Sequence, residues 1–194
     1  MAFLQPDILP AMAVAIIRQL ASARGGRLSA DSLESLVVPF RDGGSGKTLY
    51  TNTLRELRAV GVVAEQDGNL ALRTGADGAT DIPRMLRSAV MEAERDTDLW
   101  EKGDDGTLLL RGARDLIRAV AWFLSLDPVK GPYFFEDGNP SVATLQEQEL
   151  GERVIYNPTR WPPFERWSVF LGLARAVPRL DGGRWRNGLI PDPS

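Results

Sequence analysis

The chain has 194 residues and a net charge of −3, with 23 lysines and arginines against 26 aspartates and glutamates. It contains neither cysteine nor histidine, which excludes disulfide bonds, Cys/His zinc sites, Ser-His-Asp triads, Cys-His dyads and a histidine general base. Because active sites rely so often on histidine, this composition favours a non-enzymatic protein, and we predict neither a cofactor nor a metal site.

The first predicted element is a helix from about Asp7 to Ala23, because its apolar residues repeat at helical spacing. No lysine or arginine precedes this apolar run, so we interpret it as a core helix rather than a signal peptide. No segment of the sequence reaches the roughly 18 apolar residues of a membrane span. We therefore expect a cytoplasmic protein without membrane contact.

Two further helices and a hairpin are predicted before residue 75. Ser29 is typical of a helix N-cap, and the glycine-rich loop Gly43–Gly46 leads into a third helix that ends at a glycine. The strand-like runs Val62–Gln66 and Leu70–Arg73 flank a short turn with a central glycine, as in a β-hairpin. This order predicts a winged helix-turn-helix over residues 1–75, and a three-helix bundle with a chance hairpin is the alternative.

A second, helical domain is predicted over residues 82–194, after a small polar linker at residues 76–81. Its apolar spacing predicts three helices, over residues 82–93, from near Thr107 to Leu124, and from about Pro140 to Leu150.

The last part of the chain repeats the layout of the first domain. A helix is predicted to start at Pro162-Pro163, and strand-like runs flank Asp181-Gly182-Gly183. The predicted fold class is therefore mainly α with small β-hairpins, with two winged helix-turn-helix units in tandem.

The candidate DNA-binding residues lie on the third helix and on the two hairpins. Asparagine can pair with adenine and arginine with guanine, while threonine and lysine suit phosphates or base edges. The predicted set comprises Lys47, Thr51, Asn52, Arg55 and Arg58 on the helix, Arg73 on the first hairpin, and Arg184 and Arg186 on the second. The alternatives are solvated faces or protein interfaces, where arginine and tryptophan are also favoured.

Acidic and basic residues are distributed unevenly along the chain. Residues 1–75 hold 8 basic and 7 acidic side chains, residues 76–150 hold 8 and 15, and residues 151–194 hold 7 and 4. Both ends are compatible with contact to phosphate, and the middle is not. The acidic run from Glu92 to Asp105 lacks the ligand spacing of an EF-hand, so we interpret it as a solvated face or a docking surface for a basic partner.

The segment Gly43–Thr48 resembles the end of a phosphate-binding P-loop. Arg41, however, stands where that motif requires its first glycine. We therefore interpret the free amides of this helix N-terminus and Lys47 as a contact for DNA phosphate rather than as a nucleotide site.

Two C-terminal stretches, Phe164–Ala174 and Gly188–Ser194, resemble the DpdG proteins of bacterial gene clusters for 7-deazaguanine DNA modification and defence. The resemblance covers the C-terminal end of the chain and the general winged-helix start. It implies a DNA-associated accessory role in a multi-protein system, and it carries over no catalytic residue.

The sequence thus predicts a non-enzymatic winged-helix subunit of a bacterial assembly that contacts double-stranded DNA and other protein subunits. One alternative is a scaffold in which both winged helices bind protein, as in the subunits that bind the kleisin of bacterial condensin-like complexes. The acidic pI of about 5.1 favours that alternative. A transcriptional regulator, which would usually form a homodimer on a palindrome, ranks third.

Overall fold

The computed structural model describes residues 3–38, 44–73, 81–95, 97–109, 113–136, 141–150, 154–155, 157–181 and 183–192. The chain divides into two compact units, one of Met1–Phe3 and Asp7–Arg114 and one of Leu4–Pro6 and Asp115–Ser194. The predicted linker at residues 76–81 falls within the first of these units. Most of that linker lies outside the described residues.

Unit 1 contains four helices and a three-stranded antiparallel sheet among its described residues. The strand order is β1-β3-β2, so the first strand pairs with the last. The elements are α1 (Pro10–Ser22), β1 (Arg27–Ser29), α2 (Ala30–Val37), α3 (Ser45–Ala59), β2 (Val63–Gln66), β3 (Asn69–Leu72) and α4 (Ile82–Ala93). Strand β1 was not predicted from the sequence, because three residues are too few to show a strand periodicity.

Local signals set the ends of the elements in unit 1. The Ser29 hydroxyl accepts a hydrogen bond from the Ser32 amide and so caps α2, as predicted. The predicted hairpin is confirmed, with Asp67 (φ 53°) and Gly68 (φ 74°) at its turn. Two consecutive residues with positive φ are the mark of a type I′ turn, which matches the twist of the paired strands. Gly61 (φ 73°) follows α3.

The helix predicted from near Thr107 begins only at Arg114. Residues before it form a tight turn instead, in which the Gly103 amide donates to the Thr107 carbonyl over 2.8 Å. Gly106 adopts a left-handed φ of 75°, and the Asp105 carboxylate accepts from the Thr107 amide. This local side-chain bond competes with a helical start, so the prediction was wrong by about two turns.

Unit 2 contains three helices and one long hairpin among its described residues. The elements are α5 (Arg114–Ser125, of which Asp115 onward belongs to this unit), α6 (Val142–Leu150), α7 (Trp161–Phe170), β4 (Ala174–Asp181) and β5 (Arg184–Pro191). An antiparallel bridge joins Tyr133 to Leu189 on β5. An extended residue between the first two helices thus pairs with the last strand, as β1 pairs with β3 in unit 1.

The core of unit 2 is an aromatic cluster. Phe123 on α5 makes edge-to-face contacts with Tyr133, Trp161 and Phe164. Trp161 and Trp167 are both buried, so these two tryptophans near the C-terminus contribute to the core of the unit. The architecture is mainly helical with small hairpins, as predicted. No described helix is long and apolar enough to cross a membrane.

Replacing Gly188 on β5 with alanine is expected to lower stability by about 1–3 kcal/mol, as overpacking does. A Cβ atom at this position would lie 2.7 Å from Phe134 Cζ and 2.7 Å from Pro132 Cβ. Urea denaturation of the variant checks the loss. A second change, Phe134→Leu in the alanine background, should recover part of it, whereas a loss unaffected by that change would contradict the packing explanation.

Candidate nucleic-acid interface

The outer face of α3 presents four of the predicted DNA-binding residues to solvent. Lys47, Thr51, Arg55 and Arg58 are all exposed. Each cation is paired with an acid: Lys47 Nζ lies 3.0 Å from Glu34, Arg55 Nε 3.3 Å from Glu56, and Arg58 Nη2 2.8 Å from Glu65. The Lys47 and Arg58 pairs are open to solvent and contribute little free energy, so a phosphate can compete for these two side chains. Arg55 is itself exposed, but its partner Glu56 is buried.

Asn52 lies on a different face of α3 from the one predicted. Its side chain is only 8% exposed. The Asn52 amide donates to the Asp7 carboxylate, and its carbonyl oxygen accepts from Arg55 Nη2 over 2.7 Å. The structure therefore places Asn52 as a residue that orients Arg55, and the adenine-reading role receives no support from its position.

A buried tyrosine connects α3 to α2. The Tyr50 hydroxyl donates to the Ala30 carbonyl over 3.3 Å. Burial, with a smaller effect of Glu34 and Asp31, raises the pKa of Tyr50 to about 12. The phenol is neutral at physiological pH, so its contribution is structural.

Arg73 lies at the end of the first hairpin, against Gly61. A Cβ atom at Gly61 would lie 2.7 Å from Arg73 Nη1. Arg58 and Arg73 line a cavity of about 570 Å³ with residues of α4, including Met85 and Ala89. The sequence analysis did not predict this cavity.

The β4–β5 hairpin is the more basic surface. Arg179 and Arg186 lie opposite each other across the two strands, and both are exposed. Arg179 also lies over the ring of Phe134, 4.2 Å from its centroid, in a cation–π contact. Arg184 begins β5, and its side chain lies outside the described residues.

Beside the hairpin lies an aromatic groove of about 330 Å³, the second feature that the sequence analysis missed. Its polar residues include Glu165, whose Oε1 accepts from Asn187 Nδ2 over 2.6 Å. Trp185 lines it and is 71% exposed. The lining residues are Phe134, Phe135, Glu136, Pro158, Trp161, Glu165, Trp185, Arg186 and Asn187.

The acidic middle of the sequence carries no metal site within the described ranges. Among those residues, no three carboxylates come together in a way that could hold a metal ion. Glu94 instead forms an ion pair with Arg114, whose Nε lies 3.3 Å away, and accepts a hydrogen bond from the Ala113 amide at 3.0 Å. The pKa of Arg114 is raised, and its hydrogen bond to Glu101 is the largest cause of this shift. These acids therefore stabilise the end of unit 1.

A comparison with family models matches the DpdG-like family over residues 1–194. The match confirms the suspected family and extends it from the C-terminal end to the whole chain. No curated protein and no solved structure matches the chain.

Proposed function

The chain belongs to the DpdG-like family, and from this premise we propose that it is a non-enzymatic, DNA-contacting subunit of the bacterial 7-deazaguanine DNA-modification system. In this proposal the chain binds double-stranded DNA and docks onto other protein subunits. The observation that carries the proposal is the doubled element order, in which each unit contains a hairpin whose second strand pairs with a residue between its first two helices.

That element order supports two winged helix-turn-helix units in tandem. In unit 1, helix α3 would be the recognition helix, with the β2–β3 hairpin as the wing. Helices of this kind enter the major groove, and the wing contacts the backbone. In this arrangement the exposed Arg55 and Arg58 on α3 would reach the groove, and the exposed Arg73 after β3 would contact the backbone.

The charges on α3 support contact with DNA phosphates rather than tight recognition of DNA by this chain alone. Each α3 cation has an acidic neighbour within 3.3 Å, so DNA must displace an existing partner. Affinity should then be modest and strongly dependent on salt, because it depends on released counterions. A subunit that gains its specificity from partner proteins fits this balance better than a free-standing repressor does.

The double variant Arg55→Ala with Arg58→Ala is expected to weaken duplex binding by more than about tenfold at low salt and to flatten the salt dependence. Fluorescence anisotropy with a labelled random duplex at two salt concentrations measures both. The matched control is Arg18→Ala with Arg24→Ala, which removes two exposed arginines of the same unit outside α3. Equal affinities for the two double variants would remove α3 from the proposed interface.

A protein-interaction scaffold is the second candidate function. It is favoured by the same internal ion pairs and by the excess of acids between residues 76 and 150. A scaffold should bind no DNA at low salt and should co-purify with a partner subunit. A transcriptional regulator should instead form a homodimer by itself and prefer one DNA sequence.

A further inference from the structure

We propose that the aromatic groove of unit 2 binds an unpaired base of single-stranded DNA, with Trp185 as the stacking surface. This inference rests on the proposed function and deepens it, because it assigns duplex and single-stranded DNA to different surfaces. Its ligand is a stacked nucleobase whose backbone phosphate lies at the groove's rim.

The groove has the shape and lining that a base requires. Its volume of about 330 Å³ is at the small end of the usual range for ligand pockets, roughly 300–1,000 Å³. Phe135, Trp161 and Trp185 line it. Aromatic rings stack on any base because every base has a π-face, and this stacking is the usual source of affinity for single strands.

Trp185 is largely exposed, although burial of so large an apolar side chain would stabilise the fold. It lies 71% exposed, directly across the hairpin from Leu180, which is also exposed. A solvent-exposed tryptophan beside an open groove is typical of a contact residue, because it offers a large rigid surface whose burial is favourable on binding.

The charges place a base in the groove and phosphate outside it. Glu165 brings a negative charge to the groove and would repel a phosphate there, but its carboxylate can accept a hydrogen bond from a base N–H. Asn187 holds Glu165 in place through Oε1. Arg186 lines the groove, and Arg179 lies against the neighbouring Phe134, so both cations can neutralise the backbone phosphate next to a stacked base.

The test compares two short labelled single strands, one with normal bases and one with abasic sites but the same number of phosphates. Fluorescence anisotropy of the full chain with each strand separates stacking from charge. The wild type is expected to bind the normal strand at least about fivefold more tightly than the abasic strand, since stacking on one aromatic residue accounts for that much or more. Trp185→Ala should abolish this difference, and Trp185→Phe should retain most of it.

Trp100→Ala is the matched control, because Trp100 is the exposed tryptophan of unit 1, at 48%. The Trp100→Ala variant should still bind the normal strand more tightly than the abasic strand. Equal binding of normal and abasic strands by the wild type, or equal effects of Trp185→Ala and Trp100→Ala, would overturn the inference. Titration of a duplex keeps the two proposals apart, because Trp185→Ala should leave duplex affinity unchanged while Arg55→Ala with Arg58→Ala should reduce it.

Discussion

Replacement of Asp115 by alanine is expected to destabilise unit 2 by about 3–5 kcal/mol, because it removes a buried carboxylate that pairs with a buried arginine. Asp115 is fully buried, and its Oδ2 accepts from Arg160 Nη1 at 3.3 Å. The same oxygen accepts from the Leu4 amide at 2.8 Å, and Oδ1 accepts from the Leu116 amide at 2.9 Å. One carboxylate thus satisfies a buried cation and two backbone donors.

Chemical denaturation followed by circular dichroism measures this loss. The matched control is Glu65→Ala, which breaks the exposed ion pair with Arg58 and should cost no more than about 1 kcal/mol. A further variant, Asp115→Ala with Arg160→Met, removes both charges and should recover part of the stability. Equal losses for Asp115→Ala and Glu65→Ala would contradict a structural role for the buried pair.

Replacement of Phe123 by alanine is the second change with a large expected effect, a loss of about 3–5 kcal/mol. Phe123 is 1% exposed. Its ring centroid lies 5.3 Å from that of Phe164, 6.1 Å from Tyr133 and 6.4 Å from Trp161. Alanine removes three edge-to-face contacts and leaves a cavity that these large rings fill only in part.

The same denaturation experiment checks this prediction. Phe123→Leu keeps much of the buried volume and should cost clearly less than alanine. Val169→Ala, on the exposed side of α7, is the surface control and should change stability by no more than about 0.5 kcal/mol. A loss for Phe123→Ala as small as that for Val169→Ala would show that the aromatic cluster does not stabilise the unit.

This cluster also connects the fold to the groove. Trp161 packs on Phe123 and Phe164 and lines the groove beside Trp185. A cavity beneath Trp161 should therefore loosen one wall of the groove. Rigid support of this kind keeps the Trp161 wall of the groove in place before a ligand arrives.

Elements whose signals are local could be predicted from the sequence. The apolar spacing of α1 and α4, the Ser29 cap and the Asp67-Gly68 turn each depend on residues within a few positions of one another. Such signals act through backbone geometry and helical or strand periodicity, so they can be interpreted without knowledge of the rest of the chain. The second hairpin was predictable for the same reason.

Contacts between distant residues depend on how the elements pack in three dimensions. The pairing of β1 with β3 and of Tyr133 with Leu189 joins residues forty or more positions apart. The contact of Asn52 with Asp7 and that of Glu165 with Asn187 likewise depend on packing between elements. Periodicity predicts which residues share one face of a helix or strand. Which other element packs against that face depends on burial and strand pairing throughout the unit. For this reason most of the helices and both hairpin turns were predictable, whereas the start of α5, the aromatic groove and the buried position of Asn52 were not.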